Sequence, residues 1–161
     1  MPSLTTKPAR RPHHPPRRLA GFALLRNRAD EVLLIETRTQ HTGSGRWTLP
    51  GGSAEPEEQL PLACRRLVRA QTGLELFPER LLAVYQVAAR EGAPEGTGHV
   101  FDGGLCFARI ALADELLSYR WVPSHALGDF LPPHAERGVR YALDAARGAP
   151  VRYLCVPPAT R

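Results

Sequence analysis

Long apolar runs are missing from this sequence. No stretch approaches the roughly 18 consecutive apolar residues that a membrane-spanning helix needs, so we expect no membrane partner. Hydrophobic residues make up 43% and charged residues 23% of the 161 residues, which is close to the average for folded domains. A chain of this length forms one hydrophobic core. We therefore expect a single globular domain located in the cytoplasm.

Cysteine is scarce, and its spacing argues against two kinds of site. The three cysteines, Cys64, Cys106 and Cys155, are odd in number and far apart. They form no Cys-x-x-Cys pair and have no histidine at ligand spacing, which argues against a disulfide framework and a zinc site. All three have apolar neighbours. We expect reduced cysteines, as in a cytoplasmic protein.

Acidic residues are absent from the first 18 positions, which hold five of the 21 basic residues and five of the 16 prolines. Removing them leaves 21 − 5 = 16 basic against 16 acidic residues, so a nucleic-acid partner is not expected. A Pro-rich basic segment buries too little apolar surface to offset chain entropy. We predict a disordered tail over 1–17 without a targeting signal, a folded domain over 18–156 and a short tail over 157–161.

Apolar periodicity predicts two helices and several strands. Leu60–Gln71 has apolar residues at spacings of three and four, and Leu131–Arg147 is bounded by proline and glycine, as helices often are. Strands are predicted at Leu19–Leu25, Val32–Ile35, Trp47–Leu49, Leu81–Ala88, Gly104–Ala111, Tyr119–Val122 and Val151–Val156. Stretches 27–30, 40–46 and 91–98 read as turns or loops. Strands that do not alternate regularly with helices favour a mixed sheet with helices packed on it.

A glycine turn followed by a helix forms a specific motif. Residues 47–58 read Trp-Thr-Leu-Pro-Gly-Gly-Ser-Ala-Glu-Pro-Glu-Glu. With the helix that follows, this segment resembles the signature of the Nudix hydrolases: a glycine, five residues, a glutamate, seven residues, then Arg-Glu-aliphatic-any-Glu-Glu-any-Gly-aliphatic. Six positions match without a gap: Gly52, Glu58, Arg66, Val68, Gly73 and Leu74. The segment Arg120–Pro123 before the second helix resembles the usual end of such domains.

The resemblance implies an α/β fold of the MutT-like Nudix type, an α/β/α sandwich with a central mixed β-sheet. It covers about residues 18–148 and leaves out the basic tail. In that family the residues matching Glu58 and Arg66 mainly brace the loop against the helix through a charge-assisted hydrogen bond. We therefore expect structural roles for this pair.

The three helix glutamates of the signature are missing, because their positions hold Leu67, Ala70 and Gln71. Residues i, i+3 and i+4 share one helix face, so three carboxylates there can converge on a divalent cation that activates water. Leucine and alanine offer no ligand atom, and Leu67 also falls on the apolar stripe, where we expect it in the core. Arginines make the helix cationic: Arg65, Arg66 and Arg69. We expect no metal here, with Glu58 as a remnant ligand at most.

Acids elsewhere are candidates for a replacement site that would hold Mg²⁺ or Mn²⁺. They are Glu91, Glu95, Asp102, Asp114 and Glu115, none with convincing spacing to another, and solvated loop acids are the default for such residues. His99 is a candidate acid or base near neutral pH, although a lone histidine is more often a polar residue at a strand edge. The histidines that flank the Pro-rich turn are assigned no role: His125 and His134.

Residues beside the glycine turn are the candidates for ligand binding. Arginine offers a bidentate fork to phosphate and tryptophan a stacking face for a base. The candidate ligand-binding residues are Arg38, Arg46, Trp47, Gly51, Gly52 and Arg69. For the tryptophan, core packing is the more frequent alternative.

Three functions are compatible with these residues. Losing a set of metal ligands costs the transition state more than it costs binding. This favours a domain that binds a nucleoside-diphosphate-type or other phosphorylated ligand, with conventional Mg²⁺-dependent pyrophosphate hydrolysis lost or strongly impaired. The alternatives are an active, diverged hydrolase that cleaves a nucleoside diphosphate linked to another group with non-standard metal ligands, and a non-catalytic scaffold or regulatory subunit. The sequence leaves open the ligand's identity and the oligomeric state, including a homodimer.

Overall fold

The computed structural model describes residues 17–38, 45–89 and 95–157, so most of the predicted basic tail lies outside the described residues. The elements are β1 Arg18–Arg26, β2 Val32–Arg38, β3 Gly45–Thr48, β4 Gly51–Ser53, α1 Leu60–Thr72, β5 Leu81–Val87, β6 Gly96–Leu105, β7 Leu116–Val122, α2 Pro133–Ala146 and β8 Arg152–Val156. A short 3-10 helix at Ser124–Asp129 precedes α2. No helix in these three ranges is long and apolar enough to cross a membrane.

The strands form one mixed sheet in the order β3-β2-β1-β6-β5-β8. The pairs β1–β6 and β5–β8 are parallel, and the other pairs are antiparallel. β4 pairs with β1, and β7 pairs with β2. β1 and β2 are joined by the predicted turn and meet where Arg26 lies opposite Val32. The prediction of a mixed sheet is therefore confirmed.

Helices cover both faces of this sheet. Successive residues of a strand point to opposite faces, and β1 follows that rule: Ala23 and Leu25 join a buried cluster with Val68 of α1. Leu24 points the other way, into a larger buried cluster with Leu143 of α2. The two clusters make two cores, one on each side of the sheet. The predicted α/β/α sandwich is confirmed.

Glycine in a strand misled the sequence prediction. The strand predicted at Gly104–Ala111 is wrong, because β6 runs through Gly96–Leu105 and includes residues predicted as a loop. Gly98 is the third residue of this strand and lies under the ring of Tyr85, where an added Cβ would sit 2.1 Å from the ring carbon Cζ. The glycine makes room for an aromatic ring of the neighbouring strand. It does not mark a turn.

α1 ends where the sequence predicts. The backbone N–H of Gly73 caps the helix by donating to the Arg69 carbonyl at 2.9 Å. Just before the cap, the fully buried Thr72 hydroxyl donates to the Val68 carbonyl at 2.7 Å. The same hydroxyl accepts a hydrogen bond from the Leu74 N–H at 3.3 Å. These bonds fix the end of the helix and the start of the segment that follows it.

Candidate functional site

A cleft of about 410 Å³ opens beside β4. Its walls combine aromatic and aliphatic side chains and glycine backbone with a few polar residues, namely one arginine, one histidine and two threonines, a composition typical of small-molecule sites. The lining residues are Phe22, Thr37, Arg46, Trp47, Thr48, Gly51, Gly52, Tyr85, Val87, Pro132, His134 and Ala135. Four predicted ligand-binding residues are among them: Arg46, Trp47, Gly51 and Gly52. A smaller pocket of about 30 Å³ shares four of these residues with the cleft: Phe22, Thr48, Tyr85 and Ala135.

The backbone at Gly51 comes very close to β1. Gly51 lies opposite Phe22 in the antiparallel pairing of β4 with β1. Its φ is +131°, and an added Cβ would sit 2.2 Å from the backbone oxygen of Gly21. Side chains rarely adopt such a φ, and no side chain fits that space. Glycine is therefore required at this position to bring the floor of the cleft against the central strand.

The side chain of Gln71 holds the same glycine from the helix side. Its Oε1 accepts a hydrogen bond from the Gly51 N–H at 2.8 Å, and its Nε2 donates to the Gly51 carbonyl at 2.9 Å. Both ends of the amide are therefore occupied by the backbone of one residue. The amide oxygen of Gln71, a potential neutral metal ligand, is therefore already bonded to the backbone.

The other two signature positions on α1 also lack metal ligands. Leu67 is half-buried and belongs to neither buried cluster, so its predicted place in the core is wrong. The buried side of α1 runs through Ala63, Cys64, Val68 and Thr72. Leu67 flanks this side and lies against Gly52, where an added Cβ would be 3.4 Å from Leu67 Cδ1. Ala70 is exposed. This helix face does not fit the divalent cation that the family resemblance implies.

Glu58 and Arg66 form a bidentate ion pair between the loop and the helix. Arg66 Nε donates to Glu58 Oε1 at 2.7 Å, and its Nη2 donates to Oε2 at 2.8 Å. Oε2 also accepts from the Glu55 N–H at 2.9 Å. The Arg66 hydrogen bonds, followed by the Glu55 bond, lower the pKa of the Glu58 carboxyl to about 2. Glu58 is a brace whose oxygens are engaged with these donors, which leaves it poorly placed as a remnant metal ligand.

The remaining arginines of α1 are also paired. Arg65 Nε lies 2.7 Å from Glu75 Oε1, and Arg69 Nε lies 3.4 Å from Glu75 Oε2. The groove that these side chains line shares no residue with the cleft. Arg69 therefore does not line the cleft, and its role in ligand binding stays a prediction. The helix surface is less cationic than the sequence suggests. The carboxylate between two guanidinium groups compensates part of their charge.

Aromatic rings build the walls of the cleft. Trp47 is half-buried and meets Phe130 edge to face, with ring centroids 5.4 Å apart, so it both packs against the core and lines the cleft. Phe22 stacks on Tyr85 at 6.3 Å. Burial raises the pKa of the Tyr85 phenol, and nearby Arg46 acts in the opposite direction. The phenol is thus neutral at physiological pH.

Several predicted residues lie away from the cleft. Arg38 is exposed at the end of β2 and does not line it. His99 is on β6, with Nδ1 3.3 Å from the Ala20 carbonyl. Glu95 and Asp102 pair with Arg17 and Arg80 respectively. The other acids and the exposed histidine are not among the lining residues: Asp114, Glu115 and His125.

No metal cluster is built from these acids in the part of the chain that the structure describes. Within residues 17–38, 45–89 and 95–157, no three His, Cys, Asp or Glu side chains are grouped as a metal site would require. Glu91 lies outside these ranges, so its predicted role remains a prediction.

Sequence reasoning missed eight of the twelve residues that line the cleft, among them Phe22, Tyr85 and His134. Phe22 and Tyr85 come from β1 and β5, and both look like ordinary strand residues in the sequence. His134 comes from the first turn of α2 and was assigned no role. One signal was available for the histidine, since the preceding prolines place it at a helix start, and helix starts often border ligand sites.

Comparisons with known proteins agree with this architecture. A sequence profile of the NUDIX domain matches residues 16–144. The human 8-oxo-dGDP phosphatase NUDT18 is 32% identical over 117 residues, which cover 70% of this chain and 34% of that protein, so the chain spans about a third of that relative. A putative 8-oxo-dGTP diphosphatase of Bacillus subtilis is 26% identical over 121 residues, covering 74% of this chain and 75% of that protein.

Solved structures show the same fold. The MutT protein of Methanosarcina mazei Go1 superposes with a TM-score of 0.70 at 29% identity, covering 83% of this chain and 97% of that one. A NUDIX hydrolase of Nitrosomonas europaea gives a TM-score of 0.69 at 19% identity, covering 81% and 90%. The profile match extends from just before β1 into α2 and includes the whole glycine-turn motif. The chain belongs to the NUDIX domain family.

Proposed function

We propose that this Nudix domain binds a nucleoside-diphosphate-type ligand in the cleft and that conventional Mg²⁺-dependent hydrolysis of the diphosphate is lost or strongly impaired. The observation that carries the proposal is the state of the three signature positions on α1. Leu67 lies against Gly52, Ala70 has no ligand atom, and both amide atoms of Gln71 are bonded to Gly51. Mg²⁺ in such enzymes is held through carboxylates. This face offers none.

The cleft retains what binding requires. Arg46 is exposed at its mouth on β3, and among the described residues no ion pair engages its guanidinium. A guanidinium of this kind can bind phosphate oxygens in a bidentate manner. Trp47 is next to it and offers an aromatic face or edge to a base. Phosphate and base recognition are therefore supported by residues that are independent of the signature glutamates.

The names of the relatives suggest which ligands to test first. The human relative is named as a phosphatase of 8-oxo-dGDP, and the Bacillus subtilis relative as a putative 8-oxo-dGTP diphosphatase. Both names concern oxidised guanine nucleotides. We therefore choose 8-oxo-dGDP, dGDP and ADP as probes, so that preference for the oxidised base and for guanine are measured separately.

Isothermal titration calorimetry with EDTA present tests binding without metal. We expect at least one of the three nucleotides to bind, and Arg46→Gln to weaken that binding roughly ten- to hundredfold, since a hydrogen bond to a charged group contributes about 1.5–3 kcal/mol. Arg28→Gln is the matched control, because Arg28 is also an exposed arginine and does not line the cleft. Equal loss of affinity in both variants would contradict the assignment of the cleft.

Hydrolysis is tested separately by phosphate and pyrophosphate release with Mg²⁺ or Mn²⁺. We expect the wild type to show no turnover above the metal-only background. A kcat of about 1 s⁻¹ or more, within the ordinary range for enzymes, would instead establish the diverged hydrolase with non-standard metal ligands. The triple variant Leu67→Glu, Ala70→Glu and Gln71→Glu restores the three signature glutamates and is expected to gain Mn²⁺ affinity. Calorimetry without nucleotide measures this affinity.

A further inference from the structure

The amide of Gln71 faces a donor and an acceptor of the same residue. The Gly51 N–H can only donate and the Gly51 carbonyl can only accept. The distances of 2.8 Å from Gly51 N to Oε1 and 2.9 Å from Nε2 to Gly51 O are those of normal hydrogen bonds. The orientation of the side-chain amide is therefore fixed by its partners. A glutamine satisfies both backbone groups at once.

A glutamate at position 71 would satisfy only one of them. Its carboxylate can accept from the Gly51 N–H, but an ionised carboxylate has no proton to give to the Gly51 carbonyl. The second carboxylate oxygen would then face the carbonyl oxygen, acceptor against acceptor. Such a pair is stable when a cation lies between the two oxygens. The –NH₂ group of Gln71 occupies the place where that cation would otherwise be needed.

We infer that Gln71 is a positioning residue: its amide holds β4 against α1 and thereby keeps the floor of the cleft in its binding geometry without a divalent cation. Gly51 and Gly52 line the cleft, and Gly51 has backbone contacts to β1 on its other side. The bonds to Gln71 clamp this residue between the central strand and the helix. The inference rests on the proposed function only where it concerns ligand affinity.

Two substitutions at position 71 and one control separate the amide from size and charge. Gln71→Glu keeps the shape and removes the donor, and Gln71→Met keeps the length and removes both polar atoms. Gln59→Glu adds the same charge at the start of the same helix, where Gln59 is exposed and makes no capping bond with its side chain. Urea unfolding and ADP titration are measured for each, with EDTA and with millimolar Mn²⁺.

Without metal, Gln71→Glu is expected to lower the folding equilibrium constant roughly ten- to hundredfold, the usual effect of leaving a buried backbone acceptor unsatisfied. Mn²⁺ should restore most of the stability and most of the ADP affinity of Gln71→Glu. It should restore neither property in Gln71→Met. The wild type and Gln59→Glu should be unaffected by Mn²⁺. Recovery that is specific to the carboxylate is a result that a merely structural role would not produce.

Three results would overturn the inference: wild-type stability that rises with Mn²⁺, a metal-free Gln71→Glu variant as stable as wild type, or no recovery of that variant with Mn²⁺. The stability measurements do not use nucleotide. If wild type binds none of the three nucleotides, the proposed function is refuted. The role of Gln71 is then still decided by the unfolding data.

Discussion

Replacing Gly51 by alanine tests how strictly the floor of the cleft depends on one backbone position. The new Cβ would lie 2.2 Å from the Gly21 carbonyl oxygen and 2.7 Å from Phe22 Cα, both atoms of the central strand β1. Backbone atoms cannot swing away as a flexible side chain can, so β4 has to move. Movement of β4 also breaks the two hydrogen bonds between Gly51 and Gln71.

The cost has three parts of known size. A non-glycine residue at positive φ costs about 1–2 kcal/mol, overpacking in a tight site costs about 1–3 kcal/mol, and each lost hydrogen bond costs about 0.5–1.5 kcal/mol. Together, with both hydrogen bonds lost, they predict a loss of roughly 3–8 kcal/mol for Gly51→Ala. Since a domain is stable by only about 5–15 kcal/mol, this variant should be marginal.

Gly104→Ala is the matched control, because Gly104 has a φ of +72° and an added Cβ would meet no atom within 4 Å. It should lose only the conformational part, about 1–2 kcal/mol. Urea unfolding followed by tryptophan fluorescence measures the stability of both variants. Alanine also reduces the conformational entropy of the unfolded chain, and this effect is the same in the two variants. If Gly51→Ala is within about 1 kcal/mol of Gly104→Ala, the close contact of β4 with β1 is wrong.

Three further predictions concern the elements around the cleft. Because Arg66 lowers the pKa of Glu58 from 4.5 to about 2, this carboxylate stabilises the fold above pH 4.5 and loses its effect as the pH falls towards 2. The free energy of unfolding, measured with urea across that range, should therefore decline less for Glu58→Gln than for wild type. An identical decline would contradict the ion pair. Thr72→Val should cost about 1–2 kcal/mol of stability in the same assay, because the hydroxyl bonds to two backbone groups. The exposed Cys155 should react with a thiol reagent in the folded protein. Cys64 is buried and its pKa is raised to about 12, so it should react only on unfolding. Equal reaction rates of the two thiols would argue against the burial of Cys64.

The part of the site that the sequence predicts is the part that is contiguous in the chain. Arg46, Trp47, Gly51 and Gly52 lie within seven positions of one another and all line the cleft. Tyr85 reaches the same cleft from another strand, and nothing in its own sequence neighbourhood distinguishes it from a core aromatic. Its place follows only from the pairing of β5 with β6 and from the glycine that admits its ring.

The periodicity of apolar residues was sufficient to locate the helices. It was insufficient to decide which face of a helix a given side chain lies on. The apolar stripe predicts α1 within one residue of its end, but it also assigns Leu67 to the core, from which it is displaced to the flank beside Gly52. The partner of Gln71 is 20 positions away, a contact that no local pattern encodes. The cytoplasmic location, the homodimer, the disordered tail and the domain boundaries stay predictions.

The three signature positions on α1 all lack a charged side chain, but they differ in what surrounds them. Their surroundings determine what a carboxylate at each position would contact. A carboxylate at Ala70 would enter an exposed groove, one at Leu67 would meet the backbone of Gly52, and one at Gln71 would face the Gly51 carbonyl. Each single replacement therefore alters a different local interaction. Groups that act as one unit are strongly non-additive. Packing and hydrogen bonds at these three positions, as well as the absence of acids, therefore disfavour a metal site on this helix face.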